Sequence, residues 1–565
     1  MSTENFKYMS AVVVPVFLAC TALLSVDVFV NDNFLFRNYA FVILTLLLFV
    51  WQILCVKDFK IGISTMSVAI TMLLLYIVLR IADDSGARTA YLLSSIVLLQ
   101  CIYNIRCKER IVAVTFVVLC SIQIVVCVLQ WQNFLESGKT GLLTGTFDNP
   151  TGVSLLLTSG MPFMYSLYSK KPSLHLLLFI VLVWLTVALV GSRAGILSLF
   201  VVSLLYAFEK NKERLSHLKL KVIVSVGALF LLTAALLLLK SGSTTGRFLI
   251  SKLTLPIAFE KMCLGSGLYG FTSRYMDVQA DYFRDNPEST FSQFADIPMH
   301  PLNEYLMLFV QYGIVGIVLL VMVIWGIRAA VLKKQDSYFY CLVVLSIQSC
   351  FTYSMRYSFV WFICIMCLSQ VMRNTVRIRQ LKSSFLARLL SVVVCVSISY
   401  FIYKDISFEY KWGKLVDKAR TDELADEDMQ EYKKLETDWN GNPYFYYNYA
   451  AALRRNGYWE ESNEQLVKYG IYVKDYYAVL MCADNYYDSG YYNIAAKYYR
   501  RAHNMCPVRF VPLQGLLRSY HESGNLESAY KIANVIVDKD VKIKSYNVSL
   551  IKKEADKYLR ERKNE

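Results

Sequence analysis

Arg193, Arg247, His300, Asn303 and Glu304 are the side chains whose types and order suit work on a phosphorylated donor and a hydroxyl acceptor. Arginine offers a permanently charged planar fork that gives two parallel hydrogen bonds to phosphate oxygens, which is what holding a diphosphate requires. Histidine titrates near neutrality and suits general-base work on a hydroxyl nucleophile. Asn303 and Glu304 follow His300 by three and four residues and can orient the base or the acceptor. Each residue also has a plainer reading. Arg193 sits in Gly191-Ser192-Arg193-Ala194-Gly195, a short break between apolar runs, where a charge can simply snorkel to a membrane interface. His300 is one of five histidines, and a lone histidine is more often structural than catalytic. Arg274 and Arg284 are weaker candidates for the phosphate role.

These residues need elements to hold them, and composition says which kind. The chain has 565 residues, of which 56% are hydrophobic, and its mean hydropathy is +0.39. That is too apolar for a soluble globular protein. Apolar runs recur from Ser10 to Tyr403, about 13 of them near the length that spans a bilayer. They fall at roughly 11–30, 38–56, 61–79, 89–105, 111–131, 152–168, 174–191, 195–208, 220–240, 304–326, 338–354, 357–372 and 387–403. The first run lacks the short apolar region and small-residue site of a cleavable signal.

Loop charges supply the orientation. With a cytoplasmic N-terminus, the even-numbered loops carry Lys57/Lys60, Arg106/Lys108/Arg110, Lys170/Lys171, Lys210/Lys212/Arg214/Lys219, Arg328/Lys333/Lys334 and Arg373/Arg377/Arg379/Lys382. The odd-numbered loops carry only Arg37, Arg80/Arg88, Lys139, Arg193 and Arg356 in their short members. This is the positive-inside pattern. It puts the polar island of about Lys240 to Asn303, and everything beyond about residue 404, on the non-cytoplasmic side. Losing the last and weakest run would reverse the tail. The net charge of +15 is therefore read as topology, with no nucleic-acid partner.

Past Asp405 the composition turns soluble. Residues 405–441 read as a charged helical linker, and a repeat follows. Gly457, Gly490 and Gly524 lie 33 and 34 residues apart. Around the middle one the pattern Tyr486, Gly490, Tyr492, Ala495, Tyr499, Ala502, Pro507 has the offsets of a tetratricopeptide repeat. The third copy keeps Tyr520, Gly524, Leu526 and Ala529; the first keeps Ala450, Gly457 and Trp459, with Ser462 at the small position. Such a stack is either a spacer or a docking surface for a protein partner or acceptor. The expected fold class is all-α: a polytopic bundle of about 12–13 transmembrane helices, residues 1–404 with a large loop at 241–303, then the linker, then a TPR-like domain at 442–565.

Two tempting motifs are set aside. Gly265-Ser266-Gly267-Leu268-Tyr269-Gly270 fits GxGxxG, but no strand precedes it and no βαβ unit follows. A glycine-rich turn after a membrane-surface helix (about Arg247 to Met262, interrupted at Pro256) is the better reading. The 14 cysteines lie mostly in apolar runs and show no CxxC or Cys/His spacing, so neither a disulfide framework nor a metal site is expected.

Taken together, the motifs resemble a known family. They are Thr144-Gly145-Thr146-Phe147-Asp148-Asn149-Pro150 before an apolar run, Gly191-Ser192-Arg193-Ala194 at a hairpin tip, Thr245-Gly246-Arg247 opening a long outer loop, and His300-x-x-Asn303-Glu304-Tyr305-Leu306 leading into Gly313-x-x-Gly316. Over about residues 10–375 the chain resembles the O-antigen ligase superfamily, which also holds O-antigen polymerases and bacterial protein O-oligosaccharyltransferases. The resemblance implies a multi-pass protein of the bacterial inner membrane that moves a glycan from undecaprenyl diphosphate to an acceptor hydroxyl at the periplasmic face, with inversion and without a metal or other cofactor. Lipid A-core is the favoured acceptor; a protein or another glycan is the alternative. By analogy Arg193 and Arg247 hold the diphosphate and His300 is the base. In the common ligase pattern a histidine directly precedes the asparagine, and here that position is Leu302. Either His300 fills the role from two residues earlier, or proton removal depends less on histidine. From another class, a transporter or an assembly scaffold remains. A transporter would place ionisable groups or broken helices near the bilayer midplane, whereas these apolar runs are nearly free of charge.

Overall fold

The computed structural model describes residues 5–24, 35–55, 60–81, 86–137, 141–210, 241–331, 336–373, 379–382, 385–421, 424–438, 441–542 and 544–563. The apolar run at 220–240 lies outside these, as do the loop cations Lys57, Lys139, Lys212, Arg214, Lys219, Lys333, Lys334 and Arg377.

The first half is helical hairpins: α1 Asn5–Ala22, α2 Leu35–Cys55, α3 Thr65–Leu79, α4 Gly86–Asn104, α5 Glu109–Ser137, α6 Pro150–Lys170, α7 Leu174–Leu189 and α8 Arg193–Lys210. The polar island contributes α9 Ser241–Glu260 and α10 Tyr275–Asp285, with a 3-10 turn at Thr290–Phe294. Then come α11 Glu304–Val331, α12 Ser337–Ser349, a 3-10 turn at Ser354–Arg356, α13 Ser358–Arg373 and α14 Phe385–Thr421. The remainder is α15 Asp426–Thr437, α16 Tyr444–Arg455, α17 Trp459–Tyr472, α18 Tyr476–Asp488, α19 Tyr492–Met505, α20 Val511–Glu522, α21 Leu526–Asp538 and α22 Tyr546–Lys563.

The protein is a helical membrane protein. Leu35–Leu54, Glu109–Ser137 and Glu304–Arg328 are each long and apolar enough to cross a bilayer, and shorter apolar helices stand beside them. Four details depart from the sequence reading. The start of the run at 61–79 is a strand: Lys60–Ile63 (β1) pairs antiparallel with Arg379–Lys382 (β2), Lys60 opposite Lys382. The helical linker expected from residue 405 continues the run before it, since α14 extends unbroken from Phe385 to Thr421. The island's first helix starts at Ser241, so Arg247 lies in its second turn. And α11 is broken at Gly313, whose φ of 62° and ψ of −160° are not helical.

The chain forms two compact units that do not follow sequence order. One comprises the described residues of Met1–Leu239, Leu302–Leu308 and Ile314–Ser407; the other, those of Lys240–Pro301, Phe309–Gly313 and Phe408–Glu565. In the first unit, stacked rings join α1 to α13 (Phe17 and Phe362, centroids 4.7 Å apart) and α5 to α6 (Phe116 and Phe163, 5.6 Å). Most polar groups inside it are amides and hydroxyls, with Arg37 and Asp405 buried as well. Gln52 donates to the Cys101 carbonyl at 3.0 Å, Gln370 to that of Ile105 at 3.1 Å, and Gln348 to the Thr158 hydroxyl at 2.5 Å. A buried amide left unmatched would be costly in such surroundings.

In the second unit, α16 to α21 form three helical hairpins. Gly457, Gly490 and Gly524 sit at the turns with φ of 79°, 79° and 75°, a left-handed conformation that glycine adopts at little cost. Small residues lie where the helices meet: Ala483, Ala495, Ala502, Ala529 and Ala533 are fully buried. Ser462, at the position that breaks the alanine pattern, is also fully buried and donates to the Ala450 carbonyl at 2.8 Å. Its hydroxyl is thus satisfied.

Candidate functional site

In the first unit, the turn Thr144–Asn149 leads into α6. Two α5 glutamines hold it: Gln130 Oε1 accepts from the backbone N–H groups of Thr144 and Gly145 at 3.0 Å, and Gln123 Oε1 accepts from that of Thr146 at 3.0 Å. Arg37 donates to the carbonyls of Leu24 and Thr146 at 2.6 and 2.8 Å and lies 5.0 Å from the Phe147 ring centre. Asn149 caps α6, accepting from Thr151 N–H at 3.0 Å, and Pro150 follows at the first helical position, where its missing N–H costs nothing. Asp148 is exposed and accepts from the Tyr357 hydroxyl at 3.2 Å.

Arg193 opens α8 at a sharp hairpin tip. Gly191 takes φ 72°, and Ser192 Oγ accepts from Gly195 N–H at 3.2 Å. A Cβ at Gly195 would lie 2.1 Å from Ser154 Oγ, so the tip packs directly against the second turn of α6. The half-buried guanidinium therefore shares its place with the positive end of a helix, and both favour an anion.

Asn303 and Glu304 begin α11 in the same unit. Asn303 Oδ1 accepts from the N–H groups of Tyr305 and Leu306, each at 3.0 Å, so it is the helix cap. Any contribution of Asn303 to a ligand would come through its amide nitrogen. Glu304 Oε1 accepts from Met355 N–H at 2.7 Å, and Trp361 Nε1 donates to the Met355 carbonyl at 2.6 Å. Glu304 thus braces α11 against the 3-10 turn beside Tyr357. Leu302, the residue before the cap, has φ 55°, a strained value for a branched side chain that makes the chain turn sharply after His300-Pro301.

Arg247 and His300 belong to the second unit, and both are partly buried. Around Arg247, Phe248 stacks on Phe291 at 6.0 Å, and Lys252 Nζ lies 4.8 Å from the Tyr282 ring centre. The weaker candidates are engaged by carboxylates: Arg274 with Glu260 at 2.8 Å, Arg284 with Asp281 and Asp285 at 3.0 and 2.9 Å.

The glycine-rich stretch has a structural task. Ser266 and Gly267 N–H donate to the carbonyls of Val310 and Gln311 at 2.8 and 2.9 Å, and Gln311 Nε2 donates to the Leu268 carbonyl at 2.6 Å. The first two bonds satisfy carbonyls that the break in α11 deprives of helical partners. The backbones approach closely. A Cβ at Gly265 would lie 2.3 Å from the Gln311 carbonyl, and one at Gly313 2.4 Å from that of Cys263, with both residues also at positive φ. Nothing larger than glycine fits either place.

The rest of the island docks on the helical hairpins of its own unit. Tyr269 donates to the Gly441 carbonyl at 2.9 Å, Thr272 to that of Tyr472 at 2.9 Å, and Lys474 N–H to that of Thr272 at 2.8 Å. On α10, Gln279 Nε2 donates to the Met505 carbonyl at 2.7 Å. Arg501 of α19 spans two carboxylates one helical turn apart, at 2.7 Å from Asp277 and 2.6 Å from Asp281.

The family model described as O-antigen ligase matches residues 178–321, a stretch that runs from α7 across the Arg193 tip and the polar island into α11. That region is similar to a family of membrane glycosyltransferases. No curated protein matches the chain. Sequence reasoning named the Thr144–Asn149 turn but missed what holds it. Gln123 and Gln130, seven residues apart on one face of an apolar helix, were the available signal.

Proposed function

We propose that this protein transfers a glycan from undecaprenyl diphosphate to an acceptor hydroxyl at the periplasmic face of the bacterial inner membrane, with lipid A-core as the acceptor. One observation carries the reading: the O-antigen ligase match takes in Arg193, Arg247, His300, Asn303 and Glu304, in that order, within 178–321. Arg193 and Arg247 bind the diphosphate and steady its charge as it leaves. His300 takes the proton from the acceptor hydroxyl. The acceptor oxygen attacks the anomeric carbon as the diphosphate oxygen departs, so configuration inverts. Diphosphate is already a good leaving group, and the protein's work is chiefly electrostatic and positional. No metal or cofactor has a part in this scheme.

A second reading is a protein O-oligosaccharyltransferase. It is favoured by the packing of the island that carries Arg247 and His300 on a TPR-like stack, an architecture suited to binding protein acceptors. O-antigen polymerisation is a third member of the same class, and transport or scaffolding is the rival from another. The test uses cells lacking this protein, rescued with wild-type, Arg193→Ala or His300→Ala forms. Lipopolysaccharide and envelope glycoproteins are probed side by side for the same glycan. Loss of the ladder from lipid A-core alone means ligase, and loss from proteins alone means oligosaccharyltransferase. Arg193→Ala should slow transfer on the order of 10²-fold or more, and full activity in that variant would sink the mechanism. If neither glycan is lost on deletion and no lipid-linked glycan accumulates, the scaffold reading takes over.

A further inference from the structure

We propose that α9 lies along the lipid headgroup boundary and buries Phe248, Leu255, Phe259, Met262 and Leu264 in the outer leaflet. The helix is apolar on both sides. Leu249, Leu253, Ile257 and Ala258 are buried, while Phe248 and Phe259 on the opposite face are 59% and 58% exposed. Positions 248, 255 and 259 share one helical face, and the exposed Met262 and Leu264 extend it through the following turn. An exposed apolar stripe with a lysine, Lys252, beside it is what a helix lying in a membrane interface presents.

Its occupant follows from where the stripe is anchored. The turn after α9 is pinned to residues 310–313 by the bonds from Ser266 and Gly267 and by the close approach at Gly313. Phe259 meets Phe309 edge to face at 5.6 Å. Directly after Gly313 the apolar stretch Ile314–Val331 begins, long enough to span a bilayer. Its exposed Ile314, Val318, Val321 and Trp325 are the side chains that meet lipid. Chain continuity from Gly313 to Ile314 therefore keeps the C-terminal end of α9 next to the start of that apolar stretch. The rim has interfacial character too: Lys252 lies over the Tyr282 and Phe291 rings, and Lys261 is exposed. If the transfer reading holds, this seat keeps Arg247, next to Phe248, at the height of a lipid-linked diphosphate. The insertion itself does not depend on that reading.

The test is photo-crosslinking of the full-length chain in nanodiscs of phosphatidylethanolamine and phosphatidylglycerol. A benzoyl-phenylalanine replaces Phe248, Phe259 or, as a water-facing control, Tyr546, which is 77% exposed. Mass spectrometry should find lipid adducts at 248 and 259, several-fold above those at 546. Adducts no higher than at 546, or adducts to a second protein chain in place of lipid, overturn the proposal. Neither donor nor acceptor is present in this assay, so its failure and the failure of the transfer reading are separate results.

Discussion

The two units solve the problem of buried polarity in opposite ways. In the membrane unit most of the polar side chains inside are neutral, with Arg37 and Asp405 the buried charges. Gln52, Gln123, Gln348 and Gln370 each tie one helix or turn to another through an amide. In the unit that joins the island to the helical hairpins, charges and backbone share that work with the Gln279 amide. Arg501 grips Asp277 and Asp281, and the glycine-rich turn meets a broken helix backbone to backbone. A neutral amide buried in apolar surroundings needs only one or two partners. An ion pair needs the high dielectric that water at its edge supplies. The contrast teaches that the same task, fixing a loop against helices, is met by whichever polar chemistry the local solvent permits.

Substitutions can break the contrast or sharpen it. The largest effect is expected at Gly313→Ala, where the positive φ alone costs about 1–3 kcal/mol and the new Cβ strikes the Cys263 carbonyl. Loss of monodisperse full-length protein on gel filtration would show it, whereas normal yield and elution would mean the glycine turn does not hold the break. Next is Arg501→Ala, which takes the fork from Asp277 and leaves Asp281 to Arg284 alone; both carboxylates are partly solvated, so the cost should be about 0.5–1 kcal/mol. Hydrogen exchange should then quicken across Tyr275–Asp285. Arg501→Lys should recover only part of the protection, because one ammonium cannot span both carboxylates as a fork does.

A smaller effect concerns His503 on α19, whose Nδ1 is shut off from solvent without a hydrogen-bond partner among the described residues. Burial pushes its pKa down to about 4, with Lys539 and Arg500 adding in the same direction. The unfolded chain takes up this proton as pH falls through about 6.5, whereas the folded chain waits until about 4. Stability is therefore fully present above 6.5 and is lost progressively between 6.5 and 4. Melting curves of the full chain at pH 7.5 and 5 should separate less in His503→Gln than in the wild type. An unchanged separation would assign the acid sensitivity to other groups.

The membrane unit was the more legible of the two from sequence, because an apolar run reports its helix without help from distant residues. The run at 111–131 is the core of Glu109–Ser137, that at 357–372 matches Ser358–Arg373, and the Arg193 hairpin tip stands where the break in apolarity put it. The glycine spacing likewise marked the helical turns. What stayed hidden was every pairing between remote stretches. Nothing local in Asp277 or Asp281 names Arg501, and nothing in Gly265-Ser266-Gly267 names Val310 and Gln311. Four-residue strands are too short to carry a period, so Lys60–Ile63 and Arg379–Lys382 were invisible as well. Among the candidate site residues, Asn303 was open to reading as a helix cap. The link from Glu304 to Met355 crosses 51 residues and needed the fold.

The partnership between Arg501 and Asp281 also sets an order of events during synthesis. The two residues are 220 apart in the chain, so at ordinary elongation rates the acidic helix waits roughly 10–40 s for its guanidinium to be made. Gly441 and Tyr472, whose carbonyls Tyr269 and Thr272 bond, are made late in that interval, and Met505, the partner of Gln279, just after it. The island that carries Arg247 and His300 can reach its final packing only after the last third of the protein has been made. A protein stopped before its helical hairpins would have its membrane spans and all five candidate residues, yet lack the surface that shapes the loop.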